Sequence, residues 1–177
     1  MQFQLNGDQV EVADDGCSLL DVLRDGFGLT SVKDGCSPQG QCGCCTVWVD
    51  GQPRVACVTP VARVAGRAVT TVEGLPEAEV LAERLCAVGG SQCGFCTPGI
   101  VMRVAAIPEE RRDDVSVRQA LLAHLCRCTG WNSVVEAACG AAVPAAPRDP
   151  AAAAQRAALE GHAPQSVSPA VALGRGG

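Results

Sequence analysis

Twelve cysteines in a chain of 177 residues are the feature that most limits how this sequence can fold. In a secreted protein such a content indicates a disulfide framework, whereas in a reducing compartment clustered cysteines more often bind metal or carry out redox chemistry. Residues 1–5 lack the basic and apolar regions of a secretion signal. We therefore favour metal binding over disulfides and expect a cytoplasmic protein.

The remaining composition excludes several classes of function. Hydrophobic residues make up 47%, which is enough for a buried core, but no apolar run approaches the roughly 20 residues of a membrane helix. The net charge of −5, with Lys33 as the single lysine, argues against binding to nucleic acid. The sequence lacks a Ser/His/Asp arrangement, a suggestive carboxylate pair and a glycine-rich nucleotide fingerprint. We therefore expect no substrate site on this chain.

Residues 1–74 have the pattern of a small domain of mixed strands and one helix. Asn6-Gly7 and Asp50-Gly51 each separate two β-rich runs and predict hairpins, and a further strand is predicted near residues 68–72. Ser18, followed three residues later by an aspartate, resembles a capping box and predicts one short helix. An α+β fold is expected for this part.

Residues 75–142 are predicted to be helical. Thr97 is interpreted as an N-cap followed by a proline at the first helical position, and Ser116 and Ser133 each begin a capping-box pattern. Together with the helix-forming residues 77–88, these signals predict four short helices in a compact bundle. A bundle this small is a plausible candidate for stabilisation by metal.

Residues 143–177 are rich in alanine and proline. They show no periodic apolar face long enough to bury, so we expect a mostly extended C-terminal tail, with a transient or docked helix over residues 151–159. The tail is expected either to have no function or to contact a partner subunit.

Five cysteines are concentrated between residues 36 and 57. Four thiolates hold a [2Fe–2S] cluster, and the arrangement is similar to the plant-type ferredoxin loop C-x4-C-x2-C with a distant fourth cysteine. The first spacing is one residue longer here, which predicts a bulge near Pro38 to Gly40. We expect the ligands to be Cys36, Cys42, Cys45 and Cys57.

Two alternatives remain open for this first group. Cys44 could replace Cys45 as a ligand, although Cys45 leads directly into the next predicted strand, as the ferredoxin motif requires. A zinc knuckle is the other alternative, but zinc sites usually contain two well-separated C-x2-C pairs.

A second group of cysteines lies in the predicted helical region. Cys93 and Cys96 form a C-x2-C pair just before a helix, where free N–H groups and the helix dipole favour negative charge. Cys126 and Cys128 form a C-x-C pair between two later helices, so the two pairs can converge across the bundle.

These motifs resemble the small iron–sulfur subunit of xanthine oxidase-type molybdenum hydroxylases, and the resemblance covers about residues 1–140. Three stretches carry the resemblance. They are the ferredoxin-like residues 35–57, Gln92-Cys93-Gly94-Phe95-Cys96-Thr97-Pro98-Gly99 and Cys126-Arg127-Cys128-Thr129-Gly130.

The resemblance implies an N-terminal β-grasp, ferredoxin-like domain followed by an all-α four-helix domain, each with one [2Fe–2S] cluster. It implies that Cys93, Cys96, Cys126 and Cys128 hold the helical cluster, and that Gln92 and Cys128 lie nearest the molybdopterin of a large partner subunit. The N-terminal cluster would face FAD on a medium subunit. The implied assembly is a heterotrimer, expected as a dimer of heterotrimers, in which this chain relays single electrons from molybdenum to FAD.

Two other functions are considered for the same residues. A free, diffusible ferredoxin would carry the helical domain only as an appendage, although it has no need of the motif at residues 92–99. A zinc-stapled interaction module would have no redox role.

The residues left outside both groups are expected to be structural. Free cysteine packs as a small hydrophobe, so Cys17, Cys44, Cys86 and Cys139 are predicted to fill small buried sites. His124 is not expected to be a Rieske-type ligand, because such centres need two histidines and the other histidine lies in the tail.

Overall fold

A computed structural model describes residues 1–140, 149–164 and 167–175. The N-terminal part contains a five-stranded sheet of order β2-β1-β5-β3-β4, in which β1 and β5 are parallel and the other pairs antiparallel. The strands are β1 (Gln2–Leu5), β2 (Asp8–Glu11), β3 (Thr46–Val49), β4 (Gln52–Val55) and β5 (Ala68–Thr70).

Both predicted hairpins are present. In the first turn, φ is 52° at Asn6 and 97° at Gly7. In the second turn, φ is 50° at Asp50 and 73° at Gly51. These angles suit a two-residue turn whose twist matches that of the flanking strands. The turns connect β1 to β2 and β3 to β4, and each pair of strands is antiparallel.

One helical segment packs on the sheet. Helix α1 (Leu19–Asp21) begins at the predicted capping box, in which the Ser18 side chain accepts from the Asp21 backbone N–H, and it continues as a π-helical turn over Val22–Gly26. Its apolar side chains Leu19 and Leu23 are fully buried beside Phe3. This helix and the sheet enclose the core of the ferredoxin-like domain.

The second part is the expected set of four helices: α2 (Ala78–Ala87), α3 (Thr97–Ala105), α4 (Asp114–Ala120) and α5 (Asn132–Ala138). Helix α3 has Cys96 rather than Thr97 at its N-cap. Helix α4 starts earlier than predicted, because Asp113 accepts from the Ser116 N–H and takes the capping role assigned to Ser116. Trp131, not Ser133, occupies the N-cap position of α5.

The two domains meet along a seam between α3 and β3. The indole Nε1 of Trp48 donates to the Met102 carbonyl at 2.7 Å. A Cβ added at Gly99 would lie 2.3 Å from the Gly43 carbonyl oxygen and 3.0 Å from the Cys44 Cα. Only a residue without a side chain allows the two backbones to approach this closely.

The C-terminal region differs from the extended tail that the sequence predicts. The expected helix forms as α6 (Pro150–Leu159), and a second helix, α7 (Pro169–Ala172), packs against α2. Ala172 and Leu173 are fully buried. Two consecutive apolar residues pack against the distant helical domain, and no periodicity over a longer segment reveals this contact. Residues 141–148, 165–166 and 176–177 of the predicted helical region and tail lie outside the described residues.

Across the described parts of the chain, no helix has the length and apolar character needed to cross a membrane.

The seam yields a test of how closely the domains must approach. Gly99→Ala should lower the free energy of unfolding by about 1–3 kcal/mol, because its methyl group overlaps the Gly43 carbonyl. Gly26→Ala is the matched control, because a Cβ added at Gly26 would have no neighbouring atom within 4 Å. This variant should be neutral or stabilising by at most about 1 kcal/mol. Denaturant titration measures both, and equal stability of the two variants would show that the seam is not tightly packed.

Candidate metal centres

The N-terminal cysteines are brought together by the hairpin of β3 and β4. Cys45 immediately precedes β3, and Cys57 lies in a 3₁₀ turn immediately after β4. Because these strands pair antiparallel, the ends of the hairpin return to the same place, and the Cys57 N–H points at the Cys45 Sγ at 3.5 Å. Burial, together with the neighbouring Cys36 thiol, raises the pKa of the Cys57 thiol. The hydrogen bond with the Cys45 thiol acts in the opposite direction but is outweighed.

Cys36 lies in a loop rich in backbone donors. Burial acts to raise its pKa, but backbone N–H groups of Gln41, Gln39 and Cys42 outweigh burial and lower it to about 6. The Gln39 N–H is 3.3 Å from the Cys36 Sγ. Inward N–H groups of this kind stabilise negative charge on sulfur, as a thiolate-held iron–sulfur cluster requires.

The loop after Cys36 contains two residues with a left-handed backbone. Ser37 has φ 47° and Gly40 has φ 68°. The Ser37 N–H donates to the Asp34 side chain at 2.9 Å, which closes the turn after Cys36. These two residues bound the segment Pro38 to Gly40, where the sequence predicts a bulge.

Cys44 and Cys45 belong to different cores. Cys45 and Cys57 are buried in the core of the ferredoxin-like domain, whereas Cys44 packs with Cys42 and Cys96 in the core of the helical domain. Burial, followed by the charge of Cys42, raises the pKa of Cys44 to about 12. Cys44 thus points into the seam between the two domains.

The helical cysteines are cross-paired. The Cys128 and Cys93 Sγ atoms are 3.6 Å apart, and both residues are exposed. Cys96 is buried and interacts with Cys126, which is half-buried. The first and last cysteines thus form an outer pair, and the two middle cysteines form an inner pair.

Within the inner pair, polar groups favour the thiolate of Cys126. Burial acts to raise the pKa of Cys126, but the Thr129 hydroxyl and the backbone N–H groups of Thr129 and Cys128 lower it. The Thr129 hydroxyl is 3.2 Å from the Cys126 Sγ. Cys96 occupies the N-cap position of α3, where the helix dipole favours negative charge, but burial raises the pKa of its thiol.

Gln92 connects the two motifs. It lies directly before Cys93, and its Nε2 donates to the backbone carbonyl of Cys128 at 3.2 Å. The side chain is half-buried, so it lies at the edge of the outer pair.

His124 is a seam residue whose placement the sequence does not reveal. It is buried, its Nε2 is 3.5 Å from the Thr46 hydroxyl, and a Cβ at Gly43 would overlap its ring. Burial, with the charge of Arg103, lowers its pKa to about 4, so the ring is neutral. Sequence spacing gives no signal for this packing across two domains.

Three of the four cysteines outside the proposed sets do not occupy small buried sites. Cys17 and Cys86 are half-buried and Cys139 is exposed, and only Cys44 is buried as predicted.

Within the described residues, no three or more histidine, cysteine or carboxylate side chains are grouped as for a single metal ion. The thiols are arranged instead in neighbouring pairs. Two pairs are what a two-iron cluster requires, one pair for each iron, and the donor set is the all-thiolate set that such clusters prefer. The residues therefore fit [2Fe–2S] clusters chemically.

Two sequence families match this chain. Residues 3–62 match the 2Fe-2S iron-sulfur cluster binding domain, and residues 71–139 match the [2Fe-2S] binding domain.

Several named relatives are similar to most of this chain. The nicotinate dehydrogenase small FeS subunit of Eubacterium barkeri is 37% identical over 76% of this chain and 88% of its own length. A probable xanthine dehydrogenase subunit of Bacillus subtilis is 37% identical over 78% of this chain and 83% of its own length. The xanthine dehydrogenase of Drosophila subobscura is 41% identical, but the match spans only 11% of that longer chain.

Solved structures agree with the fold. Quinoline 2-oxidoreductase from Pseudomonas putida 86 is 32% identical with a TM-score of 0.72, over 92% of this chain and 96% of that chain. Aldehyde oxidoreductase from Desulfovibrio gigas is 30% identical with a TM-score of 0.76, over 99% of this chain and 21% of that chain. They confirm the ferredoxin-like domain followed by a helical domain. The chain belongs to the iron–sulfur subunits of the xanthine oxidase family of molybdenum hydroxylases.

Proposed function

We propose that this chain is an electron relay that carries single electrons from a molybdopterin centre on a large subunit to FAD on a medium subunit. The observation that carries the proposal is that neighbouring cysteine pairs lie in both domains, Cys45 with Cys57 and Cys93 with Cys128, and that the domains meet at a tightly packed seam. Substrate oxidation belongs to the assembled oxidoreductase, and this chain contributes no substrate site.

The proposed ligands are the two quartets named from the sequence. Cys36, Cys42, Cys45 and Cys57 hold the N-terminal cluster, and Cys93, Cys96, Cys126 and Cys128 hold the helical cluster. When bound, each [2Fe–2S] cluster accepts one electron at a time. The backbone N–H groups around Cys36 and the Thr129 hydroxyl beside Cys126 stabilise negative charge and so help to set the reduction potential.

The direction of transfer is proposed from exposure. Cys93 and Cys128 are exposed, and Gln92 lies beside them, so this edge is proposed to face the molybdopterin of the large subunit. Phe95 and Leu125, next to this edge, are exposed apolar residues that a partner would cover. The N-terminal cluster then faces the medium subunit.

A backbone hydrogen bond joins the two proposed ligand sets. The N–H of Leu125, the residue before Cys126, donates to the carbonyl of Cys42 at 3.0 Å. This bond connects one ligand of each cluster through the peptide backbone. It also fixes the turn that carries Cys126 and Cys128 against the ferredoxin-like loop.

The proposed domain limits are residues 1–74, residues 75–142 and a C-terminal region from 143 to 177. The first limit is supported by the 3₁₀ turn Val72–Gly74, which separates the last strand from α2. The proposed assembly is a dimer of heterotrimers, and the proposed compartment is the cytoplasm, where thiols stay reduced.

The metal content of the purified chain tests the proposal. We expect a red-brown protein with about four irons per chain and two distinct S = 1/2 EPR signals on reduction. Copurifying molybdenum and flavin are expected in the native complex. A stable monomer without them would indicate a free ferredoxin, and a colourless zinc protein would contradict an electron-transfer role.

Serine substitutions at the adjacent cysteines test the N-terminal ligand set. Cys45→Ser should abolish the N-terminal EPR signal, because Cys45 contacts Cys57 in the ferredoxin-like core. Cys44→Ser should retain that signal and about four irons, because Cys44 points into the seam. Loss of the N-terminal signal in Cys44→Ser, with retention in Cys45→Ser, would assign the ligand to Cys44.

A further inference from the structure

Residues 168–175, here called the C-terminal strap, fold back over the helical domain. The Ser168 side chain accepts from the Val171 N–H at 3.3 Å and so begins helix α7, which Gly174 ends with φ 76°. Leu173 has no exposed surface, and Ala172 beside it is also fully buried. The burial of these two side chains fixes the strap in one position.

The strap covers the C-x2-C loop directly. Gly94, between Cys93 and Cys96, has φ 76°, and a Cβ there would lie 2.5 Å from the Val171 carbonyl oxygen and 2.7 Å from its Cγ1. Gly94 therefore has two reasons to lack a side chain: its left-handed backbone and the strap above it.

The same strap reaches the ferredoxin-like domain. A Cβ at Gly174 would lie 2.8 Å from the Cα of Ser31, in the segment that leads to Cys36, and 3.5 Å from Pro98 in α3. Arg175 forms an ion pair with Glu79 on α2. Within eight residues the strap contacts both domains and the loop that carries two proposed ligands.

We propose that the C-terminal strap is a positioning element for the helical cluster, in which Val171 covers the Cys93–Cys96 loop, Gly174 contacts the ferredoxin-like domain and Leu173 anchors the strap in the core of the helical domain. This inference rests on the proposed cluster ligands. A loop that carries ligands opens locally when the contacts above it are removed, and local opening admits solvent without global unfolding. The strap is thus expected to limit access to the helical cluster and to leave the N-terminal cluster unaffected.

Helix α6 supplies an internal comparison. It lies in the same alanine-rich C-terminal region, but its Leu159 is 89% exposed. Leu159→Ala therefore removes the same atoms as Leu173→Ala from the same region without uncovering a ligand loop.

The test uses the full-length chain with both clusters in place. An iron chelator is added to wild type, Leu173→Ala and Leu159→Ala, and the decay of each EPR signal is followed separately. We expect Leu173→Ala to lose the helical-cluster signal at least about tenfold faster than wild type, with unchanged decay of the N-terminal signal. Leu159→Ala should behave as wild type.

Rescue separates positioning from general damage. Leu173→Met retains most of the buried volume and should restore slow decay and the wild-type line shape of the helical signal. Unchanged decay in Leu173→Ala, or equal acceleration of both signals, would overturn the proposal. If wild type itself lacks two EPR signals, the proposed ligand sets fail instead, so the two failures are distinguishable.

Discussion

The contact between the backbones at Gly99 and Gly43 is the constraint on which the rest of the structure depends. Because neither residue has a side chain, helix α3 lies directly on the loop that carries the N-terminal cysteines. The ring of His124 and the side chain of Cys44 fill the remaining space in this seam. Interiors packed at this density respond to a single added methyl group. This contact therefore holds the loop that carries the proposed N-terminal ligands against the helical domain.

Backbone N–H groups and one hydroxyl stabilise the thiolates of Cys36 and Cys126. Cys36 faces N–H groups of its own loop, and Cys126 faces Thr129 and the following turn. Fixed dipoles of this kind stabilise negative sulfur without placing a mobile cation beside it. The arrangement explains why short, glycine-containing loops, and not the regular strands and helices, carry most of the proposed ligands.

Much of the fold follows from local sequence, because local rules decide it. The turns at Asn6-Gly7 and Asp50-Gly51 need left-handed residues, and the Ser18 capping box needs only its own first turn. Packing between distant segments has no such local signature. The placement of His124 against Gly43 and the burial of Leu173 each depend on a partner that the local pattern does not show. The direction of the Cys44 side chain also has no local signature. Cys44 packs in the core of the helical domain, whereas Cys45, one position later, packs in the core of the ferredoxin-like domain.

Anomalous scattering at the iron absorption edge, from crystals of the cluster-loaded chain, measures the central claim most directly. Two pairs of iron atoms are predicted, one among Cys36, Cys42, Cys45 and Cys57 and the other among Cys93, Cys96, Cys126 and Cys128. Each pair is expected to lie within its own domain, on either side of the Gly99–Gly43 contact. A single iron pair, or single peaks at the zinc edge, would contradict a two-cluster relay.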